Sequence, residues 1–159
     1  MADIALTVNG RAVRIAALET TPLLDVLRNQ LELMGTRYGC GLEQCGSCMV
    51  LLDGEPIHAC SREIGTVAGR SVTTIEGLGS VERPHPLQRA FLDEQAGQCG
   101  YCLSGIIVRA KALLDSTPAP TRAEIAAALD KNLCRCGAHP RILRAVEKAA
   151  AVLREGKGA

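Results

Sequence analysis

Eight cysteines in two groups of four are the residues of this chain best suited to chemistry. The first group has the spacing Cys-x4-Cys-x2-Cys with a fourth cysteine after eleven intervening residues, which is the ligand spacing of a plant-type [2Fe-2S] site. Glycines in the same loop favour the positive φ angles and free backbone N–H groups that an anionic cluster needs. The sequence therefore predicts a [2Fe-2S] cluster held by Cys40, Cys45, Cys48 and Cys60.

The second group consists of Cys99, Cys102, Cys134 and Cys136. It pairs Cys-x2-Cys with Cys-x-Cys across thirty-one intervening residues, so the spacing indicates a second site of four thiolates. Spacing alone leaves zinc open as an alternative to iron and sulfide here, whereas zinc fits the first group less well. A thioredoxin-like interpretation of Cys99 and Cys102 lacks the surrounding βαβ pattern.

Composition and charge narrow the class of protein. The formal net charge is +1, and the basic residues are not interleaved with aromatic ones, so nothing indicates nucleic acid binding. The first twenty residues carry Asp3, Arg11, Arg14 and Glu19 and lack an apolar run long enough for a signal peptide or membrane span. We predict a cytoplasmic protein without a membrane span of its own, associated with the inner membrane only through a partner. In a reduced compartment, metal binding is favoured over a framework of four disulfides.

Patterns in the first half predict a small sheet crossed by one helix. Asn9-Gly10 and Asp53-Gly54 are favoured in type I′ turns, and each lies between apolar runs typical of a β-hairpin. Thr21 and Pro22 predict the N-cap and first residue of a helix. The predicted elements are a hairpin at 4–15, a helix at 21–31, a hairpin at 49–59 and a strand at 72–75. They form an α+β domain over residues 1–78, with the first cysteine loop between helix and hairpin.

From about residue 80 the apolar spacing becomes helical. Pro86 and Pro140 are placed to open helices, and Thr121 with Glu124 forms a capping box. The predicted helices cover 86–91, 103–114, 121–129 and 140–153. We expect a four-helix bundle domain over residues 79–154, with the second cysteine group in two of its connections and a flexible tail at 155–159.

The sequence contains no constellation for substrate chemistry beyond the cysteines. His58, His85 and His139 are dispersed and are interpreted as ordinary hydrogen-bonded or solvated histidines. Arg135, between two cysteines, either stabilises a reduced cluster or lies on the surface. A chain that carries electrons without a substrate site implies a partner.

Three motifs, at residues 38–48, 98–102 and 132–137, give the chain a recognisable pattern. From the first strand to about Val152 it resembles the small iron–sulfur subunit of the xanthine oxidase family of molybdenum hydroxylases. The resemblance implies an N-terminal plant-ferredoxin-like β-grasp domain and a C-terminal four-helix bundle domain, each holding one [2Fe-2S] cluster. It also implies that the second cluster lies nearer the molybdenum.

By the same resemblance, a separate large subunit binds a molybdopterin cofactor and hydroxylates a carbon with oxygen from water, and this subunit removes the electrons. Gln98 and Cys136 match family positions that contact the pterin. The residues after Cys102 and Cys136 are similar to those of the bacterial nicotinate dehydrogenase and isoquinoline oxidoreductase branch, in which a cytochrome accepts the electrons. The resemblance thus implies a nicotinate-like N-heteroaromatic substrate, with an aldehyde as the alternative.

Two other classes of protein remain open on the sequence. One is a free-standing two-cluster carrier that serves several enzymes, and the other is a colourless zinc-stabilised interaction module. For the subunit interpretation, electrons pass from molybdenum to the second cluster, then to the first, then outward. The glycine loop flanked by Arg37 and Glu43 is then the expected docking edge for the acceptor.

Overall fold

A computed structural model describes residues 1–156 of the chain. The first half contains five strands and one α-helix: β1 Ala2–Val8, β2 Arg11–Ala17, α1 Leu23–Asn29, β3 Met49–Leu52, β4 Glu55–His58 and β5 Ser71–Thr73. The strands form a single sheet in the order β2-β1-β5-β3-β4, with β5 parallel to β1 and antiparallel to β3. This is the β-grasp arrangement predicted for the N-terminal half.

Both predicted hairpins are present. β1 pairs with β2 and β3 with β4, each antiparallel. At the turns, φ is 50° for Asn9 and 78° for Gly10, and 50° for Asp53 and 87° for Gly54. Two successive positive φ angles characterise a type I′ turn and match the right-handed twist of the strands. The Asn-Gly and Asp-Gly pairs therefore set the register of the sheet.

The start of α1 differs from the prediction. Thr21 does not cap the helix; Pro22 occupies the N-cap position with an extended backbone and pairs with Glu63 in an isolated β-bridge. The Leu23 N–H donates to the Arg62 carbonyl at 2.7 Å. The segment after β4 therefore satisfies the N–H group at the start of the helix, in place of the Thr21 side chain. The helix also ends at Asn29, before Leu31.

The last strand is also shifted from its predicted place at 72–75. The Thr74 N–H donates to the Asn9 side chain at 2.9 Å, and the Gly77 N–H donates to the Thr74 carbonyl at 3.0 Å. These bonds turn the chain away from the sheet. Ile75 consequently begins a short 3-10 turn and is not part of β5.

The second half contains the predicted four-helix bundle: α2 Pro86–Asp93, α3 Leu103–Ser116, α4 Arg122–Ala128 and α5 His139–Gly156. The capping box at Thr121 and Glu124 is formed as predicted. Leu129 lies just beyond α4, as its C-cap. α5 continues two residues into the predicted tail, and residues 157–159 lie outside the described part of the chain.

Two apolar cores fill the two halves, and a third group of side chains joins them. Val50 and Leu52 point into the sheet core, whereas Met49 and Leu51 on the opposite face of β3 contact Val108 of α3. Successive side chains of a strand alternate between faces, so a strand buried on both faces must have a second layer packed on it. α3 is that layer. The division after residue 78 stays a prediction.

No helix within residues 1–156 combines the length and apolar character required to cross a membrane.

Candidate metal centres

The first cysteine quartet lies at one end of the sheet. Cys40, Cys45 and Cys48 are on the loop between α1 and β3, and Cys60 follows β4. Cys48 is 2% exposed and the other three are partly buried. All four are free thiols, and none of them forms a disulfide.

Backbone N–H groups surround these sulfurs. The Leu42 and Gln44 N–H groups each donate to Cys40 Sγ at 3.3 Å, and the Cys40 N–H donates to Cys45 Sγ at 3.3 Å. Positive φ angles of 69° at Gly41 and 59° at Glu43 turn the amides inward. Donors aimed at sulfur stabilise thiolate and the negative charge of a cluster.

The loop also leaves no room for a side chain at Gly39, where its backbone approaches the Cys45 sulfur. A Cβ added at Gly39 would lie 2.6 Å from Cys45 Sγ, nearer than side chains approach one another. Glycine is therefore required here by the sulfur.

The second quartet lies in two connections of the bundle. Cys99 and Cys102 are between α2 and α3, and Cys134 and Cys136 are between α4 and α5. The sulfurs of Cys99 and Cys136 are 3.4 Å apart although the residues are separated by 37 positions. Folding of the bundle thus brings Cys99 and Cys102 close to Cys134 and Cys136, as predicted.

Each quartet consists of two neighbouring pairs. Cys40 lies beside Cys45, Cys48 beside Cys60, Cys99 beside Cys136, and Cys102 beside Cys134. Within the described residues, no three His, Cys, Asp or Glu side chains converge as ligands of a single ion. A binuclear cluster with four thiolate ligands takes two on each iron, so paired thiols fit its chemistry.

The thiols differ in acidity before metal binds. Burial raises the pKa of Cys48 to about 12, and burial with the neighbouring Cys134 raises the pKa of Cys102 to about 12. For Cys40, desolvation is outweighed by the N–H groups of Leu42 and Gln44, which lower its pKa to about 7. The Tyr101 N–H lowers the pKa of exposed Cys99. In each site the pKa of one thiol is lowered and that of another is raised.

The two sites touch. The Leu133 N–H, one residue before Cys134, donates to the Cys45 carbonyl at 3.0 Å, and the Asn132 side chain donates to the Gly46 carbonyl at 3.4 Å. Asn132 is 2% exposed. Sequence reasoning placed Asn132 in a motif but missed this contact, because its partner is 86 positions away. Its position two residues before a cysteine pair was the available signal.

Gln98 and Cys136, the two positions expected to face a pterin, are brought together. Gln98 Nε2 donates to the Cys136 carbonyl at 3.3 Å, and Gln98 is exposed. Arg135, on the same loop, is also exposed.

The histidines lie apart from one another. His85 caps α2 by accepting the Leu87 N–H at Nδ1, 3.2 Å away. His58 has a buried Nε2 without a hydrogen-bond partner among the described residues, and burial lowers its pKa. His139 begins α5.

Comparison with known families agrees with the two-site arrangement. Residues 6–70 match the 2Fe-2S iron-sulfur cluster binding domain family, and residues 74–147 match the [2Fe-2S] binding domain family. The protein therefore holds two [2Fe-2S] clusters.

Two relatives are similar over almost their whole length. A nicotinate dehydrogenase subunit of Pseudomonas putida is 53% identical over 152 residues, 96% of this chain and 97% of the relative. The alpha subunit of isoquinoline 1-oxidoreductase from Brevundimonas diminuta is 49% identical over 148 residues, 92% of this chain and 97% of the relative.

Solved structures extend the likeness to the fold. The aldehyde oxidoreductase of Desulfovibrio desulfuricans matches with a TM-score of 0.95 and 45% identity over 98% of this chain, which spans only 17% of that longer protein. A chain of quinoline 2-oxidoreductase from Pseudomonas putida matches with a TM-score of 0.92 and 35% identity, covering 98% of this chain and 97% of that one. The protein belongs to the iron–sulfur subunits of the xanthine oxidase family of molybdenum hydroxylases.

Proposed function

We propose that Cys40, Cys45, Cys48 and Cys60 hold the first [2Fe-2S] cluster and that Cys99, Cys102, Cys134 and Cys136 hold the second. The paired thiols, the N–H donors on Cys40 and Cys45 and the tight approach of Gly39 support this assignment. A bound [2Fe-2S] cluster accepts and returns one electron at a time. The cysteines supply its attachment, and the amide donors favour its reduced, more negative form.

The protein passes electrons from a molybdopterin centre in a large partner subunit through both clusters to an external acceptor. One observation carries this proposal: the hydrogen bond from Leu133 N–H to the Cys45 carbonyl joins the two cysteine loops at 3.0 Å. Adjacent sites allow an electron to move between them without diffusion of either domain. The likeness to subunits of nicotinate dehydrogenase and isoquinoline 1-oxidoreductase supports the partner.

The second site is the one that faces the partner. Leu92 is 69% and Leu133 58% exposed beside it, and a groove of about 390 Å³ runs next to Gln98 along Phe91 and Leu103. Exposed apolar side chains grouped at one place are typical of an interface. Gln98 and Cys136 on that surface are the proposed pterin contacts.

The substrate of the complex is proposed to be an N-heteroaromatic compound of the nicotinate type, with an aldehyde second. This follows the names of the relatives, which include the aldehyde oxidoreductase iron-sulfur-binding subunit PaoA of Escherichia coli at 41% identity. A cytochrome acceptor, and a cytoplasmic place with the inner membrane reached through a partner, stay predictions from the sequence.

Metal and partner are tested together by expressing the chain with and without a large molybdopterin-binding subunit. We expect about four irons and four acid-labile sulfides per chain, as two [2Fe-2S] clusters require, and co-purification with a molybdenum-containing chain. Zinc in place of iron would refute the ligand assignment. Full iron content with electron transfer to several unrelated enzymes, and no stable partner, would favour the free-standing carrier.

A further inference from the structure

Three residues outside the ligand sets join the two cysteine loops at the surface: Arg37 and Tyr101 through their side chains, and Tyr38 through its backbone carbonyl. We call them the aromatic clamp. Tyr101 lies between Cys99 and Cys102 in sequence, and Tyr38 lies two residues before Cys40. Each half of the protein therefore contributes to the clamp from its own cysteine loop.

Tyr101 is held to the first half by two different contacts. Its hydroxyl donates a hydrogen bond to the Tyr38 carbonyl, 63 positions away in sequence. The Arg37 guanidinium carbon lies 5.1 Å from the centroid of its ring, within the range of a cation–π interaction. Tyr101 remains 47% exposed, so core packing does not account for its position.

Tyr38 transmits the contact to the first cysteine loop. A Cβ added at Gly41 would collide with the Tyr38 hydroxyl, so the tyrosine ring lies directly over this glycine. The next residue, Leu42, donates its N–H to Cys40 Sγ at 3.3 Å. A shift of Tyr38 would therefore disturb the donors around the sulfur.

The clamp is separate from the Leu133–Cys45 hydrogen bond described above. The Leu133–Cys45 and Asn132–Gly46 hydrogen bonds join the loops on the side of Cys134. The clamp adds a second point of attachment on the side of Cys99 and Cys102, and two points of attachment fix both separation and orientation. Electron transfer between two clusters depends steeply on their separation and orientation, so the protein must hold the clusters in a defined geometry.

We propose that the aromatic clamp is a positioning device that sets the distance and orientation between the two clusters. The inference rests on the ligand sets proposed above. The step it serves moves one electron from the reduced second cluster to the oxidised first cluster, with no bond broken and no proton transferred. Arg37 and Tyr101 are positioning residues in that step.

The test uses the full-length, iron-loaded protein and two variants. Tyr101→Phe removes the hydroxyl but keeps the ring, and Arg37→Gln removes the cation. Ser116→Ala is the matched control for the first, because it removes a hydroxyl that donates to backbone carbonyls at the end of α3 far from Cys102. Arg11→Gln, at an exposed position on the first hairpin, is the control for the change in charge.

Two readouts distinguish positioning from a local structural role. Low-temperature electron paramagnetic resonance of the fully reduced protein measures the magnetic splitting between the two clusters, which depends on their separation. Hydrogen exchange measures opening of residues 38–42 and 99–102. Hydrogen exchange reports on the clamp whichever metal is bound. Iron analysis of the wild type tests the proposed ligand sets separately.

In Tyr101→Phe we expect full iron content, a changed splitting and roughly fivefold faster exchange in both loops, corresponding to a lost hydrogen bond of about 1 kcal/mol. Arg37→Gln should act in the same direction, and both controls should match the wild type. Unchanged splitting in both variants would overturn the proposal. Faster exchange confined to 99–102, or loss of a cluster from either variant, would overturn it as well.

Discussion

At the scale of single residues, Cys45 and Cys99 occupy comparable places in the two sites. Cys45 lies beside Cys40, and Cys99 lies beside Cys136, so each has its neighbour in its own quartet. The contacts between the sites are made by backbone, by Asn132 and by the aromatic clamp, not by these sulfurs. Each thiol should therefore serve its own cluster.

Replacing Cys45 by Ser should abolish the resonance signal of one cluster and leave the other near normal, and Cys99→Ser should do the reverse. The physical reason is that serine keeps the size of the side chain but is a poor ligand for iron in a cluster. Iron content should fall to about two per chain in each variant. Loss of both signals from either change would show that the clusters are not housed independently.

His85 is a titratable N-cap. Its Nδ1 accepts the Leu87 N–H only when the ring is neutral, and burial, with Lys111 nearby, lowers its pKa while Asp115 opposes the shift. In the unfolded chain the ring protonates below about 6.5, so at mildly acidic pH the unfolded state binds more protons than the folded one. The stability that His85 contributes is present above that pH and is lost as pH falls through the folded-state value.

We expect His85→Asn to remove this dependence, because asparagine caps helices without titrating. The melting temperature of the wild type should fall more steeply than that of the variant between about pH 6.5 and pH 5. His139→Asn, at the exposed start of α5, is the control and should follow the wild type. Parallel curves for wild type and His85→Asn would contradict the assignment.

At the scale of elements, α3 links the two halves. Its first turn approaches the first cysteine loop so closely that a Cβ at Gly105 would collide with the Gly46 carbonyl. Further along, Val108 packs on Met49 and Leu51 of β3. The same helix follows directly after Cys102, so it ties the second site to the first.

Gly105→Ala should destabilise the protein by about 1–3 kcal/mol, since overpacking outweighs the gain in helix propensity. Gly156→Ala is the control, because a Cβ at Gly156 meets open space at the end of α5. Urea unfolding followed by far-ultraviolet circular dichroism measures both changes. A stabilised Gly105→Ala variant would show that α3 does not press on the cysteine loop.

Local signals predicted the elements well, and long-range contacts explain the differences. The type I′ turns and the Thr121 capping box depend on neighbours within a few positions, and both are confirmed. Pro22 pairs with Glu63 and Thr74 with Asn9, which no local pattern reveals. The cysteine spacing predicted both quartets, but the contacts between them join residues far apart in the chain, such as Asn132 and Gly46, which are 86 positions apart.

The docking edge expected at Arg37 and Glu43 stays a prediction. Arg37 is partly buried and lies over Tyr101 of the helical half, so it belongs to the junction between the two sites. Glu43 is exposed and accepts a hydrogen bond from Ser61. We propose that an acceptor docks at this exposed part of the loop, around Glu43.

At the scale of the whole molecule, the order of the two clusters can be tested by removing one of them. In the assembled complex, Cys45→Ser should allow substrate to reduce the second cluster in a single turnover while reduction of the external acceptor falls to background. The reason is that the proposed order makes the first cluster the exit for electrons. Rapid-freeze spectroscopy and acceptor assays measure the two steps separately.

Cys99→Ser is the matched variant and should stop both internal transfer and acceptor reduction. If Cys45→Ser instead prevents reduction of the second cluster, or leaves acceptor reduction unchanged, the proposed order is wrong.

The placement of the tyrosines has an optical consequence. The chain contains no tryptophan and only two tyrosines, Tyr38 and Tyr101, and both lie beside the cysteine loops. Its tyrosine emission therefore comes entirely from the junction, where an iron–sulfur chromophore absorbs the emitted light and quenches it. Tyrosine fluorescence should rise as clusters are lost, which makes the unlabelled protein its own indicator of cluster occupancy.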